Sequence, residues 1–499
     1  MIDLELIRDE TQRVKVVDSE RRRGRCTTVG GVVKSELVDT VLAEDNLWKE
    51  CLQKINALRT ERNSITKTIK EKMKGMKAAD ADKDAITAEV DALKARVLSI
   101  KDDIAKLDVD TTEHLRLRDV ALNKIGNILL APPSDLYDSK DYDLHDLSYR
   151  HTNGEEQIRV GADEPAEWGK APETPLNHVQ LMTKADMINC DDGVKVAGAR
   201  GYYLKGAGAR LNQALINYAM DFLENREHEV MDKTKDAEGN VTFTPTGKMA
   251  NSAYEVTQTP FFMKGDMMAK CAQLEQFEEE LYKVVAGTRS TASKDPDLAG
   301  DRFLIATSEQ PLCAMHADKI ITAKEMPIRL CGYSTCFRME AGRHGENMAG
   351  IFRIHQFEKV EQFVIAHPED AEVEFTRMVA AARDFYQSLD IPFRVVQIAS
   401  DDINNAAAIK NDLEAYFPEA GEYRELVSVS NCTDYQSRGL NTRMAHKGKD
   451  YVHMLNGTMT ATERTMCCLV ENYQRGNGIV VPKKLRPYMG GRVFIPFKK

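Results

Sequence analysis

CFRMEAGRHGENMAGIFRIHQFEKVEQF, Cys336 to Phe363, is the stretch from which the fold is read. Its ends, FRMEAG and FRIHQFEKVEQF, read as two strands joined by a glycine-rich polar loop, Gly342 to Gly350. Strands joined this closely run antiparallel. Side chains alternate along a strand, so Arg338 and Glu340 share one face. On the second strand Arg353, His355, Phe357, Lys359 and Glu361 share another. Two or more cations, an aromatic ring and a carboxylate form an odd face for a strand with apolar neighbours. Arginines bind phosphate oxygens in a fork, and a ring stacks on a planar base. On the residues alone, a functional face and a solvated edge weigh about equally.

Further strand-like runs lie around this stretch: EQFVIA (Glu361 to Ala366), FRVVQIA (Phe393 to Ala399) and Met454 to Thr458. An Ala/Leu/Glu-rich helix is expected at Ala371 to Leu389, and another at Thr462 to Gln474 with an apolar face at Met466, Leu469, Val470 and Tyr473. Strands interleaved with separate helices predict an α+β fold with an antiparallel sheet over residues 176–499. Asp232 to Ala253 is polar, holds Gly and Pro, and reads as an irregular surface insertion. Residues 131–175 follow Pro132-Pro133 and read as a linker.

Residues 1–130 have a different pattern. Ile86, Val90, Leu93, Val97, Ile100, Ile104 and Leu107 repeat at four and three, a heptad seam. Val41, Trp48, Leu52, Ile55, Leu58, Ile65, Ile69 and Met73 form a looser one. Lys74 to Asp84, with Gly75, fits a turn between them, so an antiparallel helical hairpin is expected over about 37–110.

The chain has 499 residues and a net charge of −10, which argues against a nucleic-acid binder only if the charge is evenly spread. Residues 49–77 carry nine basic residues and three acidic ones, a local footprint for polyanions. A solvated helix face is the commoner meaning of such a bias. No apolar run reaches the roughly 18 residues of a membrane helix, so no membrane partner is expected. The amino terminus is acidic and amphipathic and predicts no leader peptide. Ten cysteines without a Cys-x2-Cys pair predict reduced thiols and no zinc site. No P-loop and no dinucleotide fingerprint is found.

Two further segments gather polar groups. In IATSEQPLCAMH (Ile305 to His316), Thr307 and Glu309 would share a face if extended, although T-S-E before a helix is more ordinarily a capping box. ELVSVSNCTDYQSR (Glu425 to Arg438) precedes VHMLNGTMTATERTMCCLVENYQ (Val452 to Gln474), with Arg464 in the first turn of the expected helix. By spacing alone Arg464 is an ordinary helix arginine.

The order T-x-E, F-R-x-E, F-R-x-H-Q-F-E-K-x-E, E-L-V-S and L-N-x-T-M … R resembles the seryl-tRNA synthetases of the class II aminoacyl-tRNA synthetases, eukaryotic cytosolic type. The resemblance covers nearly the whole chain. Gly198 to Leu223 is similar to the motif 1 helix, TPFFM around Pro260 to its following strand, and the helical hairpin to the family's tRNA-binding arm.

The resemblance implies the following roles. Arg338 and Arg464 are catalytic. Arg338, Glu340, Ile354, Phe357, Arg464 and Glu425 to Ser428, with Leu426 and Val427 between, bind ATP. Thr307, Glu309, Arg338, Glu361 and Asn456 bind L-serine, Glu309 at its ammonium and Glu361 at its hydroxyl; Thr458 lies next to them. Glu425 and Ser428 hold Mg²⁺, and zinc is not implied. Lys67, Lys70, Lys72, Lys74 and Lys77 meet tRNA(Ser) along the arm. Charging of tRNA(Sec), a homodimer and a cytoplasmic location are family expectations. Two other readings compete: a binding-only paralogue, and a ligase for another amino acid. Every catalytic position is occupied, against the first; Glu361 and T-x-E favour serine over the second. The glycine-rich character usual for motif 3 rests here on Gly457 alone.

Overall fold

A computed structural model describes residues 1–29, 31–76, 83–130, 145–151, 169–271, 280–285, 301–340, 350–445 and 450–498. The chain folds as two units, Met1–Ile128 and Leu129–Lys499.

In the first unit, helices Leu4–Arg8 and Glu10–Arg22 and a ribbon of Thr27–Val29 with Val32–Lys34 precede two long helices, α1 (Glu36–Gly75) and α2 (Lys83–Lys124). Their 40 and 42 residues correspond to about 60 Å each at 1.5 Å per residue. The predicted hairpin is therefore longer than expected at its base, where residues 108–124 carry no clear heptad. All seven heptad positions of α2 are buried or half-buried, and Ile55, Ile100 and Ile104 close the seam. Met73 departs from the expectation and is 53% exposed. The turn expected between the helices falls at 77–82, outside the described residues, and Lys77 with it.

At the base of α1, Asp45 accepts hydrogen bonds from Arg8 (2.7 and 2.9 Å) and Arg118 (3.1 Å) and pairs with Lys49 (2.6 Å). Burial alone would raise its pKa; these three cations outweigh burial and hold the carboxyl well below its usual range.

The second unit is built on an eight-stranded sheet. In chain order its strands are β1 (His145–His151), β2 (Glu255–Gln258), β3 (Ile328–Phe337), β4 (Gln356–Ala366), β5 (Phe393–Gln397), β6 (Ile409–Phe417), β7 (Glu422–Asn431) and β8 (His453–Ala461). The spatial order is β1-β5-β6-β7-β8-β4-β3-β2. Every pair is antiparallel except β2–β3. β1 corrects the linker reading of 131–175: its backbone pairs with β5 and forms an edge of the sheet. HDLSYRH is too polar to announce itself as a strand, which an edge position permits.

Three helices, α3 (Ala207–Glu224), α4 (Ala371–Ser388) and α5 (Thr462–Asn472), cover one face of the sheet, with Tyr218, Phe385, Tyr386, Phe393 and Phe417 in the shared core. A smaller cluster, Leu312, Leu330, Phe363, Ile365, Leu440 and Met454, lies on the opposite face. The insertion at 232–253 is regular, not irregular. Glu227–Lys235 pairs with Val241–Asn251 as a hairpin, and Lys233 and Lys235 pair with Glu369 and Asp370 before α4. After the hairpin β2, not TPFFM, enters the large sheet; Phe262–Lys264 joins a separate three-stranded sheet.

Candidate active site

The site lies on the sheet face opposite α3, α4 and α5, where β4, β7 and β8 present polar side chains. Along β4, Val360 and Val364 enter the helix-side core, so Lys359 and Glu361 point the other way. Two irregularities set the polar groups. Val360 pairs with Thr460 but Glu361 with Thr458, so Met459 is an extra residue in β8. This bulge keeps Thr458 opposite Glu361, and the Thr458 hydroxyl donates to Glu361 Oε2 at 3.3 Å. Likewise Leu413 pairs with Val427 but Glu414 with Glu425, leaving Leu426 extra in β7. Residues three apart on a regular strand face opposite ways. Here the bulge lets the Ser428 hydroxyl donate to Glu425 Oε1 at 3.2 Å.

Glu361 and Lys359 are both buried and paired at 2.6 Å, and Lys359 also donates to Thr458 Oγ1 at 3.3 Å. Glu309 opens a short helix, Glu309–Ala314, and Thr307 lies in the turn before it. The expected extended face for these two is therefore replaced by a helix start, in which the Thr307 hydroxyl accepts from the Glu309 N–H at 3.2 Å. Glu309 Oε1 accepts from Gln436 at 2.7 Å and from Asn456 at 3.0 Å. Burial first, then repulsion from Glu361, pushes the Glu309 carboxyl up to about 7, with Lys359 acting against them.

The motif around Arg338 also departs from the strand reading. β3 ends at Phe337 and β4 begins at Gln356, so Arg338, Glu340, Arg353 and His355 lie beyond the strand ends. The polar alternation continues past the point where pairing stops. Glu340 has φ +50°, a left-handed conformation uncommon for a residue with a side chain, and its carboxylate accepts from Arg353 at 2.9 Å. Arg338 sits over the Phe357 ring at 5.2 Å and donates to the Ala306 carbonyl at 3.4 Å. Arg464, in the first turn of α5 as expected, lies over Phe352 at 5.0 Å and 3.7 Å from Glu425.

Arg338, Glu340, Ile354, Phe357, Glu425 and Arg464 line one cleft of about 510 Å³, with Lys359 and Thr458 also in its wall. Val427 is directed into the helix-side core, Leu426 both joins that core and lines the cleft, and Ile354 is buried. Hydrogen bonds thus link Thr307, Glu309 and Asn456 to one another and Glu361 to Thr458, and Thr458 in turn lines the arginine- and aromatic-walled cleft. Sequence reasoning gave no role to Lys359, although it stood on the quoted strand face. Gln436, Phe352 and Arg353 were also missed. Gln436 is the side chain that holds Glu309 from a separate helix, Tyr435–Leu440, and no periodicity marks it.

An antiparallel sheet flanked by helices, with an arginine, an aromatic ring and paired carboxylates on its open face, defines a class II aminoacyl-tRNA synthetase core. Residues 293–473 match the family described as tRNA synthetase class II core domain (G, H, P, S and T), and residues 1–129 match the seryl-tRNA synthetase N-terminal domain. The chain is 40% identical to the serine–tRNA ligase of Helianthus annuus, across 100% of this chain and 99% of that one. The crystal structure of a cytoplasmic serine–tRNA ligase from Naegleria fowleri, in complex with AMP, superposes with a TM-score of 0.72 at 37% identity, covering 100% of this chain and 99% of that one. Seryl-tRNA synthetase from Pyrococcus horikoshii, complexed with ATP, gives 0.74 at 30% identity over the full length of both. The chain belongs to the seryl-tRNA synthetase family, the serine–tRNA ligases. Among the described residues no helix is long and apolar enough to cross a membrane.

Proposed function

We propose that this cleft activates L-serine with ATP to seryl-adenylate and then transfers the seryl group to tRNA(Ser). The observation that carries the reading is the pair of carboxylates next to one cleft: Glu309 is held by Thr307 and Asn456, Glu361 meets Thr458, and Thr458 shares the cleft wall with Arg338 and Arg464. Serine enters with its ammonium at Glu309 and its hydroxyl at Glu361. Its carboxylate then faces Arg338 and attacks the α-phosphorus in line, forming the acyl–phosphate bond of seryl-adenylate as the bond to the β-phosphate breaks and pyrophosphate leaves. The nucleophile is already ionised, so no side-chain base is needed. Alignment and charge neutralisation supply the rate. Phe357 stacks on adenine, Glu340 meets its amino group, and Arg464 meets the γ-phosphate. In the second step the terminal ribose hydroxyl of the tRNA attacks the seryl carbonyl and AMP leaves, an adenylate phosphate oxygen being available to take the hydroxyl proton.

Glu425 and Ser428 are oxygen donors in contact, and Asp412, opposite Ser428 in register, has a buried carboxylate oxygen without a hydrogen-bond partner. This donor set fits Mg²⁺ held jointly with phosphates and water. Bound there, Mg²⁺ would neutralise charge on the triphosphate.

Two expectations extend the reading. The exposed Lys67, Lys70 and Lys74 on α1, with Lys72 and Lys77, ride on the tRNA backbone. A homodimer follows from the motif 1 resemblance, and a cytoplasmic location from the resemblance to the cytosolic type. The edge strand β2 beside exposed Val256 and Phe262 is the kind of surface such an interface needs.

The test is ATP–pyrophosphate exchange with Mg²⁺ and a panel of amino acids, without tRNA. Exchange with serine alone is expected, because alanine and glycine lack the hydroxyl that donates to Glu361, and a site built to bond a hydroxyl rejects analogues without it by on the order of 10⁴-fold. Absence of exchange from folded protein that still binds ATP would return the chain to the binding-only reading.

A further inference from the structure

The pocket read above as the serine site contains two carboxylates whose surroundings differ in kind. Glu309 is hydrogen-bonded by amides, Gln436 at 2.7 Å and Asn456 at 3.0 Å. Glu361 is in contact with an ammonium, Lys359 at 2.6 Å, and with the Thr458 hydroxyl at 3.3 Å. Lys359 is itself bound on two sides, by Glu361 and by Thr458 Oγ1. Its side chain is 7% exposed and that of Glu361 2%, so water screens neither charge. The cation sits on β4 two residues before Glu361, and the bulge at Met459 holds Thr458 against both.

A buried ammonium is expensive unless it is paired, and a buried carboxylate likewise. Here each neutralises the other before any substrate arrives. That leaves Glu309 as the carboxylate with an unmatched charge toward an incoming amino acid. The two carboxylates are therefore not interchangeable. Glu309 can take an ammonium; Glu361 can accept a hydrogen bond from a neutral hydroxyl. A second ammonium at Glu361 would meet the Lys359 ammonium at close range in a site with little water, a repulsion that rejects the wrong ligand.

We propose that Lys359 is a specificity-determining residue: by pre-neutralising Glu361 it orients serine and excludes amino acids whose side chain carries a positive charge at the β position. The inference rests on the serine-site reading. It goes beyond it by giving a role to a residue that need not touch the reacting atoms, and by naming the substrate class rejected, the α,β-diamino acids.

The probe is L-2,3-diaminopropionate, which replaces the serine hydroxyl with an ammonium. Pyrophosphate exchange is measured with the full-length protein, for serine and diaminopropionate, in the unmodified enzyme, K359M and K359R. The unmodified enzyme and K359R are expected to prefer serine. In K359M, Glu361 loses its partner, serine exchange falls, and the ammonium of diaminopropionate takes the vacated position. The ratio of kcat/KM for diaminopropionate over serine rises by about tenfold or more. A ratio unchanged in K359M that melts normally and binds ATP overturns the proposal.

A second measurement needs no variant. Diaminopropionate should inhibit serine exchange poorly, relative to the serine KM at the same pH, near pH 6, where both of its amino groups carry protons. Strong inhibition near pH 6 sinks the proposal even if K359M fails to fold. Failure of the underlying reading looks different: the unmodified enzyme then shows no serine-dependent exchange at all.

Discussion

Glu309 combines two properties that set a pH response. Its carboxyl is pushed up to about 7, by burial first and by Glu361 second, and it is the proposed acceptor of the serine ammonium. Below that value the free enzyme holds a neutral acid, which has lost its charge toward an ammonium. Above it the carboxylate is present. The KM for serine in pyrophosphate exchange should therefore rise severalfold from about pH 8 to pH 6, with kcat less affected, one pKa unit being worth about 1.4 kcal/mol. Glu309→Gln should raise KM throughout and flatten the profile. A flat profile in the unmodified enzyme would place the ammonium elsewhere. At this scale the sequence was informative where a residue type is chemically committed. A carboxylate or arginine amid apolar neighbours, such as Glu361 or Arg338, is costly without a purpose, and both line the site. Lys359 stood on the same polar face without a role of its own, and Gln436 gave no such signal. Their importance lies in what they hold, Glu361 and Glu309, and that partnership depends on contacts no spacing encodes.

At the scale of elements, legibility follows periodicity. The α2 seam was readable because 3.5-residue spacing has one physical meaning, and its seven positions turn inward together. Polar alternation around β3 and β4 was readable as strand but not as strand end. Arg338 and Glu340 continue the pattern after pairing stops, and only the positive φ of Glu340 shows the backbone turning away. The bulges at Leu426 and Met459 were invisible for the opposite reason. Leu426 is hidden beside the apolar Val427 and Met459 between two threonines, and neither marks the shift in which polar groups share a face. The same seam supports a stability prediction. Ile100 is fully buried against Ile55 and Ile104, and Ile100→Ala removes that packing between two helices which have little other core along their length. A cost of about 2–4 kcal/mol to the first unit is expected. Hydrogen exchange of α1 and α2 amides measures it, with protection in the eight-stranded sheet unchanged. Equal loss of protection in both would show that the helical pair and the sheet unfold together.

On the scale of the whole molecule, the chain divides its chemistry between its two units. The cleft proposed for serine and ATP is lined by residues of Leu129–Lys499, while the basic bias of residues 49–77 lies in Met1–Ile128. An acidic chain with a net charge of −10 repels RNA in general, so attraction must come from a local surface. Lys67, Lys70 and Lys74 are exposed, and Lys72 already pairs with Glu89 on the facing helix, so the first three have the stronger claim to a phosphate. Phosphate contacts release counterions, so each lost contact lowers the salt sensitivity of binding as well as its strength. Changing Lys67, Lys70, Lys72, Lys74 and Lys77 together to Ala should raise the KM for tRNA by about tenfold or more and flatten its dependence on salt. Serine-dependent pyrophosphate exchange should stay within about twofold, because no group in the cleft comes from these residues. Lys72→Ala alone should do much less than Lys70→Ala, since its ammonium is already engaged. If exchange fell in step with tRNA charging, the lysines would be supporting the fold of the catalytic unit. If the salt dependence stayed unchanged while KM rose, the loss would lie in the shape of the helical pair and not in contacts to the backbone of the RNA.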